Sequence, residues 1–492
     1  MSRKPLVGGL PVEEVALWHR VRRFAVPRWM IEGATEARLA GDWRAACAVA
    51  AVDVALDLAR IGDRHGAAAR DAVADDLAHL APDLLRWHLP RAPASGGTTL
   101  AARRVVLLAP YGGVRRRFRA HAQPSYLVVR TPGAWDGPQR LVLDFLNADD
   151  PGLLPEYLVK DWTAARHFWD ARHAPELRAW CGGGGGQRLP FFHADGTPLG
   201  PRELPDTDPG SGGDPAAREE WIAVLQARGD LVGAFAAAGV DVDPTAVPLN
   251  SGWGPGQPEA VIAALPMDLP RTVREVRRLL AAGVADRFRI PGGYRGDVLV
   301  EPADPGPDAA LRARAEGPHR DAGLATVPGI AWRRMPDLQL VRTGRLAPEE
   351  LHPLVAAALF PASGPACGPP GPPAVLEPVR VRCGGEWHLV GFRDGELRVP
   401  HSAREQLREQ AMLAFGGDVS GCFAVQRAWA SGRGRLPRAL RPLRREVFER
   451  ARHGDTPGLA ALLAAGLDPA VRDNETGHSL RDVLRRLDPE AG

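Results

Sequence analysis

The sequence predicts an α+β multidomain protein with a helical N-terminal domain, a mixed central region, a β-meander followed by helices, and a C-terminal helical repeat. Three observations support this prediction. The chain has 492 residues, a length typical of about three domains. Apolar residues change from helical spacing in residues 12–89 to strand-like alternation further along. The Pro- and Gly-rich residues 361–373 cannot hold a helix or a central strand, and they therefore mark a boundary.

The N-terminal domain is predicted to cover residues 1–91 and to be all helical. Apolar side chains between Val15 and Val21 fall on one face of a first helix. Gly41 and Asp42 indicate a turn in which Asp42 caps the next helix, expected over residues 43–59.

The central region is predicted over residues 100–360 and mixes strands with helices. Five consecutive glycines, residues 182–186, indicate a flexible loop within it. The expected strands are 105–108, 126–129, 141–145, 288–290 and 297–300, and the expected helices are 153–180, 218–238 and 271–282.

Residues 361–373 are predicted to form a semi-rigid linker. Residues 374–445 follow as a three-stranded meander with tight turns at Gly384-Gly385 and Asp394-Gly395, and then as helices that begin at Ser402 and near Cys422.

The last segment, residues 446–492, carries the most specific motif in the chain. Gly454-Asp455 precedes an Ala- and Leu-rich helix that ends at Gly466, and a polar stretch leads on to Gly477. Residues 446–480 resemble an ankyrin repeat. The resemblance implies contact with another protein through an exposed hairpin: Asp473, Asn474, Glu475, Thr476, Gly477 and His478.

Two further stretches, residues 236–241 and 279–284, are similar to the end of that helix. Their spacing does not follow the ankyrin period. We expect both to be helix ends capped by glycine, at Gly239 and Gly283.

Composition narrows the classes of function. Hydrophobic residues make up 45% of the chain, and the formal net charge is only +3. A strong overall field is therefore absent, and nucleic acid is an unlikely partner. Nearly all positive charge is Arg, because lysine occurs only at Lys4 and Lys160. With the excess of Ala, Gly and Pro, this is typical of GC-rich bacterial coding, and the chain looks like a bacterial ankyrin-repeat-containing protein.

Location and redox state are predicted from absences in the sequence. There is no apolar run of signal-peptide or membrane-spanning length, so we expect a cytoplasmic protein with no membrane partner. The five cysteines show no C-x-x-C and no zinc-type Cys/His spacing. We therefore expect reduced thiols, no metal site and no cofactor.

No catalytic signature is present, so whether the chain is an enzyme stays open. The best candidate for a metal-dependent active site is Asp144, Asp149 and Asp150, with Asn147 nearby, whose oxygens could hold a hard cation such as Mg²⁺. The alternative, which we favour, is that the acidic residues cap the next helix and face solvent.

Cys383 and His388 flank the Gly384-Gly385 turn and could pair as nucleophile and base. A cysteine within an alternating strand is more often part of the packed core, and we favour that role. Arg-rich stretches at residues 18–29 and 433–450 could bind nucleic acid, but a solvated helical face is the commoner use of such a pattern.

The sequence thus predicts a protein-binding or scaffold protein that acts through its C-terminal ankyrin-like unit. A metal-dependent enzyme built on Asp144, Asp149 and Asp150 is the first alternative, and Arg-mediated nucleic-acid binding is the second.

Overall fold

The computed structural model describes residues 6–7, 10–91, 97–112, 124–146, 158–184, 186–210, 212–243, 262, 267–291, 296–304, 309–316 and 324–487. The α+β multidomain class is confirmed. The helices are α1 Val12–Phe24, α2 Arg28–Leu39, α3 Trp43–Val49, α4 Leu58–His65, α5 Ala67–Ala78, α6 Pro82–His88, α7 Leu177–Trp180, α8 Pro215–Arg228, α9 Leu231–Ala237, α10 Leu269–Ala281, α11 Gly329–Trp332, α12 Pro336–Arg342, α13 Pro353–Leu359, α14 Ala403–Ala414, α15 Gly421–Ser431, α16 Leu440–Arg452, α17 Thr456–Ala464 and α18 Leu480–Leu487. The strands are β1 Leu6–Val7, β2 Leu10–Pro11, β3 Val52–Val54, β4 Val105–Tyr111, β5 Ser125–Arg130, β6 Leu141–Leu146, β7 Val159–Asp161, β8 Val240–Asp243, β9 Phe288–Ile290, β10 Asp297–Pro302, β11 Leu311–Glu316, β12 Ala325–Thr326, β13 Val379–Cys383, β14 Glu386–Arg393 and β15 Glu396–Arg398.

The first unit comprises residues 12–192 and 335–360, which share one hydrophobic core. Its sheet has the strand order β3-β6-β5-β4-β7. The predicted all-helical domain over residues 1–91 is wrong, because helix α3 ends at Val49 and the chain turns at Ala51 into β3, which pairs with β6. The sheet partner lies far along the chain, so the local pattern of residues 43–59 could not reveal it.

The second unit, residues 215–332, is inserted into the first and has its own core. Its sheet has the order β12-β9-β10-β11-β8. The predicted central region, residues 100–360, is therefore divided between two cores. The helix predicted over 153–180 is also wrong, since its described part contains strand β7 and is helical in the α form only at Leu177–Trp180.

Both units repeat one sheet topology. In each sheet the second, third and fourth strands in chain order form an antiparallel meander. The first strand pairs in parallel with the fourth, and the fifth pairs in parallel with the second. Two copies of one topology within one chain indicate an internal structural repeat.

The repeat is visible in the sequence at the entry to each sheet. Residues 41–54 and 229–242 both begin with Gly-Asp, carry alanine at alternate matched positions and end with Val-Asp-Val. Asp42 caps α3 and Asp230 caps α9, each by accepting a hydrogen bond from a backbone N–H in the first turn of its helix. A left-handed residue, Ala51 in one copy and Gly239 in the other, then leads into the edge strand.

The C-terminal module comprises residues 376–487. Its sheet, β13-β14-β15, packs with helices α15 to α18 around a third core. That core runs from Val381 to Leu480, so the boundary predicted between residues 445 and 446 divides what is one packed body. The module is docked on the first unit, where Trp29 Nε1 donates a hydrogen bond to Asp455 at 2.8 Å.

The predicted linker, residues 361–373, has no helix or strand, as expected. It is not a free tether, however. Gly368 and Pro369 are buried, and the Cys367 N–H donates to the carbonyl of Glu349 at 3.0 Å. The segment therefore lies as a strap along the first unit.

Candidate metal centre

Four cysteine and histidine side chains meet between the meander and helix α15: Cys383, His388, His401 and Cys422. Their sulfur and nitrogen ligand atoms all lie within 4.8 Å of one another. No comparable group of three or more such side chains occurs in the part of the chain that the structure describes. The sequence analysis expected no metal site, and this arrangement departs from that expectation.

The hairpin β13–β14 supplies the first two side chains. Gly384 and Gly385 both have positive φ, 59° and 93°, as the tight turn between these strands requires. Val381 lies opposite His388 in the sheet. Strand alternation therefore places Cys383 and His388 on the inner face of the meander, beside the core.

The other two side chains come from the segments that flank helix α14. His401 follows β15, and its N–H donates to the carbonyl of Val399 at 2.8 Å. Cys422 is fully buried in the first turn of α15. The residue before it, Gly421, has φ 59°, and a Cβ there would lie 2.8 Å from the Cβ of Cys383. Only glycine allows this close approach of helix and hairpin.

Three of the six ligand–ligand distances match the edges of a tetrahedron around zinc. Zn–S bonds of about 2.3 Å and Zn–N bonds of about 2.0 Å imply S···N edges of about 3.5 Å and N···N edges of about 3.3 Å. Cys383 Sγ lies 3.5 Å from His401 Nε2, and Cys422 Sγ lies 3.6 Å from His388 Nδ1. His388 Nδ1 and His401 Nε2 are 3.3 Å apart.

The nitrogens that face away from the cluster each meet a carboxylate. His388 Nε2 lies 3.8 Å from Glu386 Oε2, and His401 Nδ1 lies 3.9 Å from Glu405 Oε2. These distances are longer than a hydrogen bond, so the carboxylates lie near the rings as charges only. The ring of Phe423 packs 4.7 Å from that of His401, centroid to centroid, and holds its orientation.

The environment of the Cys422 thiol favours a role as a ligand over a role as a nucleophile. Burial, and then the neighbouring Cys383, raise the pKa of the Cys422 thiol to about 12. A reactive cysteine needs the opposite shift. A cation bound by sulfur favours the thiolate directly, since metal binding displaces the proton.

Four protein side chains would also fill all four positions of a tetrahedral ion. Catalytic zinc sites keep one position for water or substrate, whereas structural sites fill all four with protein atoms. The Cys383–His388 pair that the sequence suggested as nucleophile and base is thus brought together, but as half of a set of four.

The predicted Mg²⁺ site is only partly within the described residues. Asp144 lies in β6, where Arg130 donates a hydrogen bond to its carboxylate at 2.7 Å. Asn147, Asp149 and Asp150 lie outside the described residues. The described contact occupies Asp144 with an arginine, which supports its interpretation as a surface residue.

The predicted protein-binding hairpin is present at residues 472–479, closed by a bridge between Arg472 and Ser479. Asn474, Glu475, Thr476 and Gly477 are exposed at its tip, and His478 is half-buried. Asp473 is buried, and its carboxylate accepts hydrogen bonds from Arg452 and from the N–H of Glu475. Asp473 therefore shapes the hairpin from within.

The ankyrin resemblance stays a prediction. The segment does contain the expected helix pair α16 and α17, the hairpin and the following helix α18. The similar stretches elsewhere are helix ends with left-handed glycines, at Gly239 and Gly283, as expected.

The two Arg-rich stretches use much of their charge inside the protein. Arg22 is 1% exposed and binds Asp337, and Arg23 lies 3.6 Å from Glu446. In the second stretch, Arg444 and Arg450 are buried, and the other five arginines are exposed. These contacts favour the structural interpretation of the first stretch and of the buried part of the second.

Sequence reasoning missed His401 and Cys422 as partners of Cys383 and His388. A signal existed, since four Cys and His residues fall between positions 383 and 422 of a chain with only five cysteines. Their spacing matches no short zinc motif, because all three gaps between the ligands are set by the fold of the meander and α14.

No helix among the described residues is both long enough and apolar enough to cross a bilayer. Comparisons with protein-family models, with curated proteins and with solved structures found no match for the chain.

Proposed function

We propose that the C-terminal module binds one zinc ion through Cys383, His388, His401 and Cys422, and that this ion holds a non-catalytic binding module together. The observation that carries the proposal is the match between the three measured ligand–ligand distances and the edges of a tetrahedral site. Two thiolates and two imidazoles are also the donor set that selects zinc over Mg²⁺ or Ca²⁺.

The position of the site explains what the ion does. It joins the hairpin β13–β14 to the first turn of α15, and both elements contribute to the third core. Helix α14, which lies between two of the ligands in the chain, has no buried residue and therefore contributes little packing of its own. The metal supplies a fixed point on each side of that helix.

Metal analysis of the full-length protein tests the proposal. We expect one zinc per chain in the wild type and its loss in Cys422→Ser and in His401→Asn. Cys367→Ser is the matched control, because Cys367 is an exposed thiol outside the cluster, and it should keep the ion. Cobalt substituted for zinc should give the absorption of a tetrahedral thiolate-bound ion.

Stability provides a second readout. At free zinc one hundred times its Kd, binding stabilises the folded module by about 2.7 kcal/mol, and chelation removes that amount. Hydrogen exchange should accelerate in residues 379–431 and stay unchanged in the first unit. A zinc-equilibrated wild type with far less than one ion per chain, or full retention of zinc by both ligand variants, would refute the site.

A second proposal keeps the function that the ankyrin resemblance implies, recognition of another protein by the hairpin tip. It is supported by the exposure of residues 474–477 on a turn fixed from within by Asp473. Tagged full-length protein should capture a partner that Asn474→Ala/Glu475→Ala loses. The control is Glu32→Ala, on a distant exposed helix face of the first unit; equal capture by all three proteins counts against the hairpin.

A further inference from the structure

The outer face of the meander points away from the metal cluster and is open to solvent. Strand alternation places Arg380 and Arg382 of β13 on this face, together with Trp387, Leu389 and Arg393 of β14. All five side chains are exposed. We call these five residues the outer face. Trp387 is 61% exposed and Leu389 is 58% exposed, unusual values for large apolar residues at the centre of a sheet.

Two arginines of the outer face have no acidic residue opposite them in the sheet, because Arg380 faces Leu389 and Arg382 faces Trp387, whereas Arg393 faces Glu396. Within the described residues, Arg380, Arg382 and Arg393 form no ion pair with an acidic side chain, whereas Arg398 on the adjacent strand is paired with Glu396 at 3.0 Å. Other exposed arginines of the described residues, such as Arg404 and Arg408, also lack an ion pair, so what distinguishes this face is the combination of arginines with an exposed tryptophan. Three guanidinium groups without an ion pair on one sheet face attract anions.

Trp387 gives the same face an open aromatic surface. The guanidinium of Arg382 lies 5.8 Å from the centroid of its ring, near the outer limit of a cation–π contact. That contact steadies the ring and leaves it accessible. Bases stack on exposed aromatic rings of this kind, while arginines beside them bind the phosphates.

The metal cluster orients this face. His388 lies between Trp387 and Leu389 in β14, and Cys383 follows Arg382 in β13. Because side chains alternate along a strand, holding Cys383 and His388 inward keeps Arg382, Trp387 and Leu389 pointing outward. The inference goes beyond the zinc proposal, since the face exists in the folded hairpin whatever ion the cluster binds.

We propose that the outer face of the meander binds single-stranded nucleic acid, with Arg380, Arg382 and Arg393 on the phosphates and Trp387 stacked on a base. An acidic protein segment would satisfy the arginines but would leave the tryptophan without a specific partner. This surface differs from the two Arg-rich stretches considered from the sequence, because its arginines lie on a sheet beside the exposed ring of Trp387.

Fluorescence anisotropy with the full-length protein and labelled mixed-sequence DNA and RNA single strands tests the proposal. We expect binding that weakens linearly on a log–log plot against salt. Trp387→Ala should weaken it at least about fivefold, because a stacked base contributes that much or more. Arg380→Gln/Arg382→Gln/Arg393→Gln should reduce the salt slope by about 2, at about 0.7 per phosphate contact.

Arg404→Gln/Arg408→Gln is the matched control, since both arginines are exposed on helix α14 of the same module, and it should leave the slope and the Trp387-dependent affinity unchanged. Zinc content is measured in every variant, so that loss of the ion and loss of nucleic acid are separated. The proposal is overturned if no oligonucleotide binds at about 100 µM protein and low salt, where even non-specific binding is detectable. It is equally overturned if Trp387→Ala binds as well as the wild type, or if polyglutamate of equal charge competes as well as the oligonucleotide.

Discussion

The first and second units reach the same sheet topology with different residues at matched positions. Both enter the sheet through an Asp-capped, Ala-rich helix and a Val-Asp-Val strand. At the left-handed residue between them, the first unit has Ala51 with φ 54° and the second has Gly239 with φ 76°. The cap and the strand are the same in both units, so they define the topology. The left-handed residue differs between the units, and we expect it to affect only their stability.

Their buried polar contacts differ as well. In the first unit, Arg22 donates two hydrogen bonds to Asp337, which also accepts one from Trp87 Nε1 at 2.9 Å. All three residues are buried to about 1% exposure or less. This triad joins the beginning of the unit to the segment that follows the inserted second unit.

Loss of the triad should give the largest difference between the units. Asp337→Asn leaves the charge of Arg22 unpaired in the core, and we expect the first unit to lose about 3–5 kcal/mol of unfolding free energy. Urea unfolding combined with hydrogen exchange measures the loss in each unit separately. Glu32→Gln removes an exposed pair with Arg28 and should cost less than about 1 kcal/mol. An equal loss of protection in both units would contradict the assignment of the triad to the first core.

Acid should reveal a second difference, through His167 of the first unit. Burial, and then the charge of Arg271, lower the pKa of His167 to about 3. The folded state thus keeps the neutral ring, while the unfolded chain binds a proton below its ordinary pKa of about 6.5. The stability is full above pH 6.5 and falls as the pH drops towards 3, by about 1.4 kcal/mol per pH unit.

Between pH 6.5 and 5, His167 should therefore cost the first unit about 2 kcal/mol. His167→Gln should flatten the pH dependence measured by urea unfolding, and His65→Gln, at an exposed site, should not. Some pH dependence of the unfolding free energy will remain in both variants, because burial also holds the pKa values of His88 and His453 well below normal. A steeper slope in His167→Gln would be inconsistent with a buried neutral ring.

The smallest predicted changes in unfolding free energy come from substitutions at Ala51 and Gly239, and they have opposite signs. Ala51→Gly should stabilise the first unit by up to about 1 kcal/mol, because glycine adopts positive φ without strain. Gly239→Ala should destabilise the second by a similar amount. An added Cβ at Gly239 has no neighbour within 4 Å, so backbone strain alone is measured. Changes of the same sign in thermal unfolding would show that the two turns are not equivalent.

Local structure was predictable where short-range chemistry decides it. The Gly384-Gly385 and Asp394-Gly395 turns give the meander, and α14 begins after Ser402, as the sequence indicates; its cap also involves Glu405. Asp42 is the N-cap that its position predicts. In each case the determining contact lies within a few residues of the turn or cap.

Long-range organisation was not predictable in the same way. Strand β3 pairs with β6, which lies far along the chain, and no local feature of Val52–Val54 predicts that partner. The group of four Cys and His side chains also depends on a long-range contact. Cys422 reaches Cys383 only because Gly421 permits the helix to approach the hairpin. The repeat of residues 41–54 at 229–242 was readable in principle, but its period is too long for the common repeat classes.

The insertion of the second unit into the first has a consequence for synthesis on the ribosome. Arg22 and Asp337 are separated by 315 positions in the chain. At about 5–20 residues per second, the arginine emerges roughly 15–60 seconds before its carboxylate exists. The inserted unit is continuous in sequence and can complete its own core before residues 335–360 are made, so the first core can close around Arg22 only after the second has formed.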